Sequence, residues 1–106
     1  MASFGTFLSE SDTVGPTPLA DGGGASYVAV HLWREDAEEA STSVVHLQVS
    51  MDGARWYRAR TFTNVGGMNA TTGDGGAAVS VPSWPFMRLY VESCDVGELS
   101  SEWFKR

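Results

Sequence analysis

Lysine is nearly missing from this sequence. Lys105 is the only one, and seven basic side chains face thirteen acidic ones for a formal net charge of −6. Binding to a phosphate backbone draws on clustered cations that displace counterions. Arg55, Arg58 and Arg60 do gather in one segment, but three charges on a strand read as a solvated face. Nucleic acid is therefore not expected as a partner. Cysteine is equally scarce: Cys94 stands alone, so no internal disulfide forms and the core must hold itself. With His31 and His46 the only histidines, a structural zinc site lacks ligands. Cys94 itself reads as a small buried hydrophobe or a strand-end thiol. No apolar run approaches the roughly 20 residues that cross a bilayer, so no membrane partner is expected. Met1 to Glu10 carries neither the basic region nor the apolar stretch of a signal peptide, and synthesis in a cytoplasm is the expectation.

Helical periodicity is the remaining absence. Twelve glycines and four prolines suit short strands joined by turns, and 42% apolar residues suffice for one modest core. Residues 1–25 read as an N-terminal arm or edge strand followed by a Gly/Pro-rich loop. Within them, Ser3 to Leu8 is a short strand candidate, while Pro16, Pro18 and the Gly22-Gly23-Gly24 run exclude a continuous helix. Residues 26–106 read as the β-sandwich domain. From Ser26 to Arg34, Val28, Val30 and Leu32 share one face, and Tyr27, His31 and Trp33 the other, which suits a central strand. Glu35 to Ala40 is an acidic loop. Val45, Leu47, Val49 and Met51 form a buried set, against a wet set of His46, Gln48 and Ser50. Asp52-Gly53 then signals a hairpin leading into a strand from Arg55 to Thr63. Ala77 to Val81 is a short strand stopped by Pro82. Phe86 to Ser93 turns Met87, Leu89 and Val91 inward, and Glu102 to Arg106 closes the chain. The expected fold is all-β, an antiparallel sandwich of jelly-roll or Ig-like kind with six to eight short strands.

No catalytic set assembles from these residues. The two histidines sit in strands among apolar neighbours, no Gly-x-Ser-x-Gly elbow occurs, and the acidic residues fall mostly in loops. The glycines around Asp74 lack the helix and lysine of a phosphate cradle. Calcium at Asp74 needs ordered oxygen ligands that a sequence does not count. No metal, cofactor or enzymatic activity is expected. The four tryptophans are many for this length. Trp56 and Trp103 are assigned to the core, and Trp84, between Pro82 and Pro85, is the candidate for an exposed contact.

The segment Leu47-Gln48-Val49-Ser50-Met51-Asp52-Gly53-Ala54-Arg55-Trp56-Tyr57 resembles a strand–turn–strand signature. Similar hairpins occur in discoidin-like (coagulation factor type C) sandwiches and in small β-sandwich proteins of tailed-phage virions. Phe86-Met87-Arg88-Leu89-Tyr90-Val91 resembles the strand that pairs nearby in those domains. Discoidin-like domains are usually longer, secreted and often disulfide-closed, so the resemblance points to the virion proteins. It implies a capsid decoration (cement) protein located in the virion and assembled in the host cytoplasm. Its partners would be the major capsid protein or other virion subunits, with a homo-oligomer also open. The residues expected to meet the partner are Phe4, Phe7 and Trp84, with Gly66, Gly67, Met68, Asn69 and Asp74 of the long glycine-rich loop. A tail or head–tail connector component is one alternative. A carbohydrate-binding module, stacking sugars on Trp84, Tyr57 and Trp33, is another.

Overall fold

Alternating apolar residues pack best when two sheets lay their inner rows against each other, and this chain builds two such sheets. The computed structural model describes residues 3–21, 23–34, 42–66, 76–96 and 98–106. Its elements are β1 (Ser3–Ser11), β2 (Gly15–Pro16), β3 (Tyr27–Arg34), β4 (Thr42–Ser50), β5 (Tyr57–Thr63), β6 (Ala77–Pro82), β7 (Phe86–Val96) and β8 (Leu99–Lys105), with no helix among the described residues. They form two antiparallel four-stranded sheets, ordered β1-β8-β3-β6 and β2-β7-β4-β5.

The pairing is nested: β1 with β8, β2 with β7, β3 with β6, β4 with β5. Only the β4–β5 link stays within one sheet; every other connection crosses to the opposite layer. A long antiparallel ribbon rolled up in this way is a jelly roll. The stretch before β3 supplies an outer strand to each layer. β1 lies along β8, and β2 begins a run along β7 in which the Thr17 amide donates to the Leu89 carbonyl at 2.9 Å and the Leu89 amide to the Thr17 hydroxyl at 3.0 Å.

The core comes from the inward rows Val28, Val30 and Leu32 of β3, Val45, Leu47 and Val49 of β4, and Met87, Leu89 and Val91 of β7. Burying each of these large side chains contributes about 1.5–3 kcal/mol against exposure. Phe7, Val81 and Leu99 complete it from the outer strands and β8. Trp103 packs against this core as expected, its indole lying over Gly5 on β1, where any Cβ would overlap the ring.

Three expectations are corrected here. Met51 is 65% exposed and Ser50 fully buried, because β4 ends at Ser50, whose hydroxyl accepts the amides of Asp52 and Gly53 and turns the chain. The turn is longer than a two-residue hairpin: Asp52 accepts from the amides of Ala54 and Arg55, and β5 starts at Tyr57 rather than Arg55. Trp56 is not core. It is half-buried beneath the Arg88 guanidinium, which lies 3.9 Å from the ring centroid.

The amides of Arg55 and Ala54 hold the Asp52 carboxyl below its ordinary value of 3.8. A depressed folded pKa contributes stability that is present above the unfolded value and lost as pH falls through the folded one. Asp52→Ala should therefore lower the unfolding midpoint in urea at neutral pH, with the gap to wild type closing in acid below 3.8. Gly5→Ala, which drives a methyl into the Trp103 indole, should cost about 1–3 kcal/mol in the same assay.

Candidate interaction surface

Because side chains alternate along a strand, burying one row of β3 commits the other to the opposite face. The outward row is Tyr27, Ala29 and His31, all exposed, with Tyr27 at 57%. Register sets Ser80 and Ala78 of β6 beside Ala29 and His31, and Phe104 and Glu102 of β8 on their other side. The small side chains of Ala29, Ala78 and Ser80 make a low floor, and Phe104, His31 and Glu102 rise around it. The result is an open trough of about 550 Å3. At its rim His31 Nε2 lies 3.4 Å from Glu102 Oε1, with both side chains about half exposed. The imidazole also leans on Trp33, centroid to centroid 4.7 Å. A pair so open to water contributes little to stability.

The outer face of the second sheet is more self-contained. Arg88 donates to the Gln48 side-chain oxygen at 2.8 Å while stacking on Trp56. His46, expected on the wet face, does point outward but is only 3% exposed. It sits on the interior strand β4, flanked across the ladder by Thr61 and Tyr90, and its two ring nitrogens meet Thr61 Oγ1 at 2.9 Å and Glu92 Oε1 at 3.1 Å.

The sequence-derived partner residues scatter. Phe7 is corrected: at 4% exposure it is a core residue, unavailable to a partner in the folded chain. The backbone of Phe4 pairs with Phe104 at the margin of the trough face, and its side chain lies outside the described residues. Gly66 is half-buried, its carbonyl accepting the Arg34 amide at 2.9 Å. Gly67, Met68, Asn69 and Asp74 lie outside the described residues. Trp84 is half-buried against the core rather than freely exposed, and Tyr57, 55% exposed, packs beside it with centroids 6.1 Å apart. Those two aromatics therefore meet, while Trp33 sits on the other sheet beside His31. Sequence reasoning missed the trough. Its local signal is the outward row Tyr27, Ala29 and His31 alternating with an apolar row, a pattern that any central strand also shows.

Among the described residues, no group of three or more His, Cys, Asp or Glu side chains comes together. The described residues form an eight-stranded jelly roll with a small-floored, semi-apolar sheet face open to solvent. No protein-family description matches the chain, and no curated protein matches it in sequence. Solved structures do match in fold. The SPBc2 prophage-derived protein YomS superimposes with a TM-score of 0.60 at 13% identity, covering 99% of this chain and 92% of that one. The PBSX exported protein XepA gives a TM-score of 0.72 at 12% identity over 99% of this chain, which spans only 37% of XepA. The K1 cleaved adhesin domain of Lys-gingipain from Porphyromonas gingivalis W83 gives 0.57 at 14% identity, covering 97% of this chain and 72% of that one. At such identities the likeness is one of fold, and one of these neighbours, YomS, is described as prophage-derived.

The two histidine–carboxylate pairs differ in burial, and so should their substitutions. His46→Ala, which empties a buried site and strips Thr61 and Glu92 of a partner, should cost about 1–3 kcal/mol in urea unfolding. His31→Ala should stay within about 0.5 kcal/mol of wild type.

Proposed function

We propose that this chain is a non-enzymatic structural protein of a phage or phage-derived particle. It acts as a capsid decoration (cement) protein that binds neighbouring subunits through the trough face of the first sheet. The observation that carries the reading is that face: exposed Tyr27, Ala29 and His31 on β3 beside the small Ala78 and Ser80 of β6, where a water-facing sheet would usually be more polar. The fold shared with YomS and XepA supports it, as does the hairpin resemblance to tailed-phage virion proteins. Fold alone does not carry function, so the weight rests on the surface.

Size shapes the mechanism. Strands of six to eight residues, about 20–27 Å long and about 4.8 Å apart, present a few hundred Å2 over the three strands β3, β6 and β8. A standard interface takes about 800 Å2 from each partner. A single such face binds weakly, and a lattice that repeats it many times converts weak contacts into firm attachment. The protein would then reside in the virion, assembled in the host cytoplasm, with the major capsid protein or other virion subunits as partner.

The test compares particles assembled with and without the chain for resistance to heat and to low salt. Particles carrying wild type should survive better, and Ala29→Glu with Phe104→Glu should abolish both binding and protection while the free protein stays folded. Particles indifferent to the chain would rule the reading out. The Tyr57–Trp84 pair supports a second reading, a carbohydrate-binding module with these rings as a stacking edge. A glycan panel read by tryptophan fluorescence, with Tyr57→Ala as control, separates the two. Saturable quenching by one sugar that disappears in the variant would favour the module.

A further inference from the structure

A sheet edge leaves a row of backbone donors and acceptors unpaired, and proteins guard such rows with charge, proline, bulges or brevity. The four edges here are not guarded alike. β1 is broken by register shifts after Thr6 and Leu8, and Glu10 within it adopts φ 46°. β5 carries the exposed Arg58 and Arg60. β2 is two residues long and includes Pro16. β6 reads Ala-Ala-Val-Ser-Val-Pro: it holds no charge and runs without a register shift along β3, its one partner among the described residues.

The backbone groups that β6 turns outward follow from its ladder. The Ser83 amide donates to the Ser26 carbonyl at 3.1 Å. In an unbroken antiparallel ladder, hydrogen-bonded pairs recur at every second residue. Val81, Val79 and Ala77 therefore direct their amides and carbonyls toward β3, while Ala78, Ser80 and Pro82 direct theirs to the open side. Pro82 has no amide to leave unpaired. Ala78 and Ser80 do, and both are exposed.

We infer that β6 is a self-pairing edge: two copies of this chain join antiparallel through Ala77 to Val81, with the two-fold axis at Val79. The segment is self-complementary about that residue. Ala78 of one copy lies opposite Ser80 of the other, and each such pair exchanges both backbone bonds. The two Val79 residues face each other as a pair not bonded through the backbone, with their half-buried side chains meeting at the margin of the core. Gly76 at φ 74° leaves the extended conformation at one end, and Pro82 stops the ladder at the other, so the register has little room to slip. On the outer face, Ala78 and Ser80 add no bulk at the seam, and the two troughs run on into one surface. Glu102 stays on β8, two strands back from the seam, so the pairing sets no carboxylate against its copy. A foreign strand would meet the same backbone groups, but this register and its pairing of small residues are properties of β6 against itself.

The inference stands apart from the virion reading, because it concerns the purified full chain. Sedimentation velocity up to about 1 mM should show a concentration-dependent dimer. Ser80→Lys and Ala78→Lys, which place a guarding charge on the open edge, should each raise the dimer dissociation constant at least about tenfold. Circular dichroism and Tm should remain those of the wild-type monomer. In a Cys94→Ser background, Val79→Cys should form disulfide-linked dimers under mild oxidation, and Thr6→Cys on β1 should not. A chain that stays monomeric throughout overturns the inference, even if it captures a foreign strand. So does a dimer that the lysine variants leave intact, or cross-linking as ready at position 6 as at 79.

Discussion

The inward rows of β3, β4 and β7 interlock between the two sheets, and nearly everything else follows from that contact. Leu32, Leu47, Met87 and Leu89 are almost wholly removed from water, as are the valines beside them. With one cysteine and no bridging metal cluster among the described residues, burial is the force that holds the layers together. The nested strand pairing makes the contact cooperative. Since almost every connection crosses between layers, neither sheet can be completed without the other.

Burying one row of a strand leaves the alternate row to be satisfied some other way, and the two sheets answer differently. On the second, the outward side chains satisfy one another: Gln48 with Arg88, Arg88 with Trp56, His46 with Thr61 and Glu92. On the first, the outward row is short and semi-apolar, and the trough over Ala29, Ala78 and Ser80 stays open. One face is finished within the molecule, while the other is left open to solvent. The unguarded edge of β6 borders that open face, so lateral pairing and face-to-face docking would draw on adjoining parts of one surface.

Glycine and the short polar side chains mark where the ribbon bends. Ser50 and Asp52 stitch the β4–β5 turn through their own side chains, which is why Met51 leaves the core despite its place in the alternation. Gly5 has a different role, giving the Trp103 indole room to lie across β1. A register shift between Leu47 and Gln48 adds a residue on β5, so that Ala59 and Phe62, three positions apart, both reach the core.

Alternation in the strands now numbered β3, β4 and β7 was enough to determine an all-β sandwich and the inward rows of those three strands. A period of two is a local property, readable without knowing any partner strand. The rest needed tertiary structure because it depends on residues far apart in sequence. Nothing local could place Phe7 inside, cover His46 by way of Thr61 and Tyr90, or move Trp56 from the core to a stack beneath Arg88. The trough likewise exists only once β3, β6 and β8 lie side by side. Its small floor residues, Ala29, Ala78 and Ser80, are unremarked in the chain, and they become a feature only when hydrogen bonding sets them in one plane.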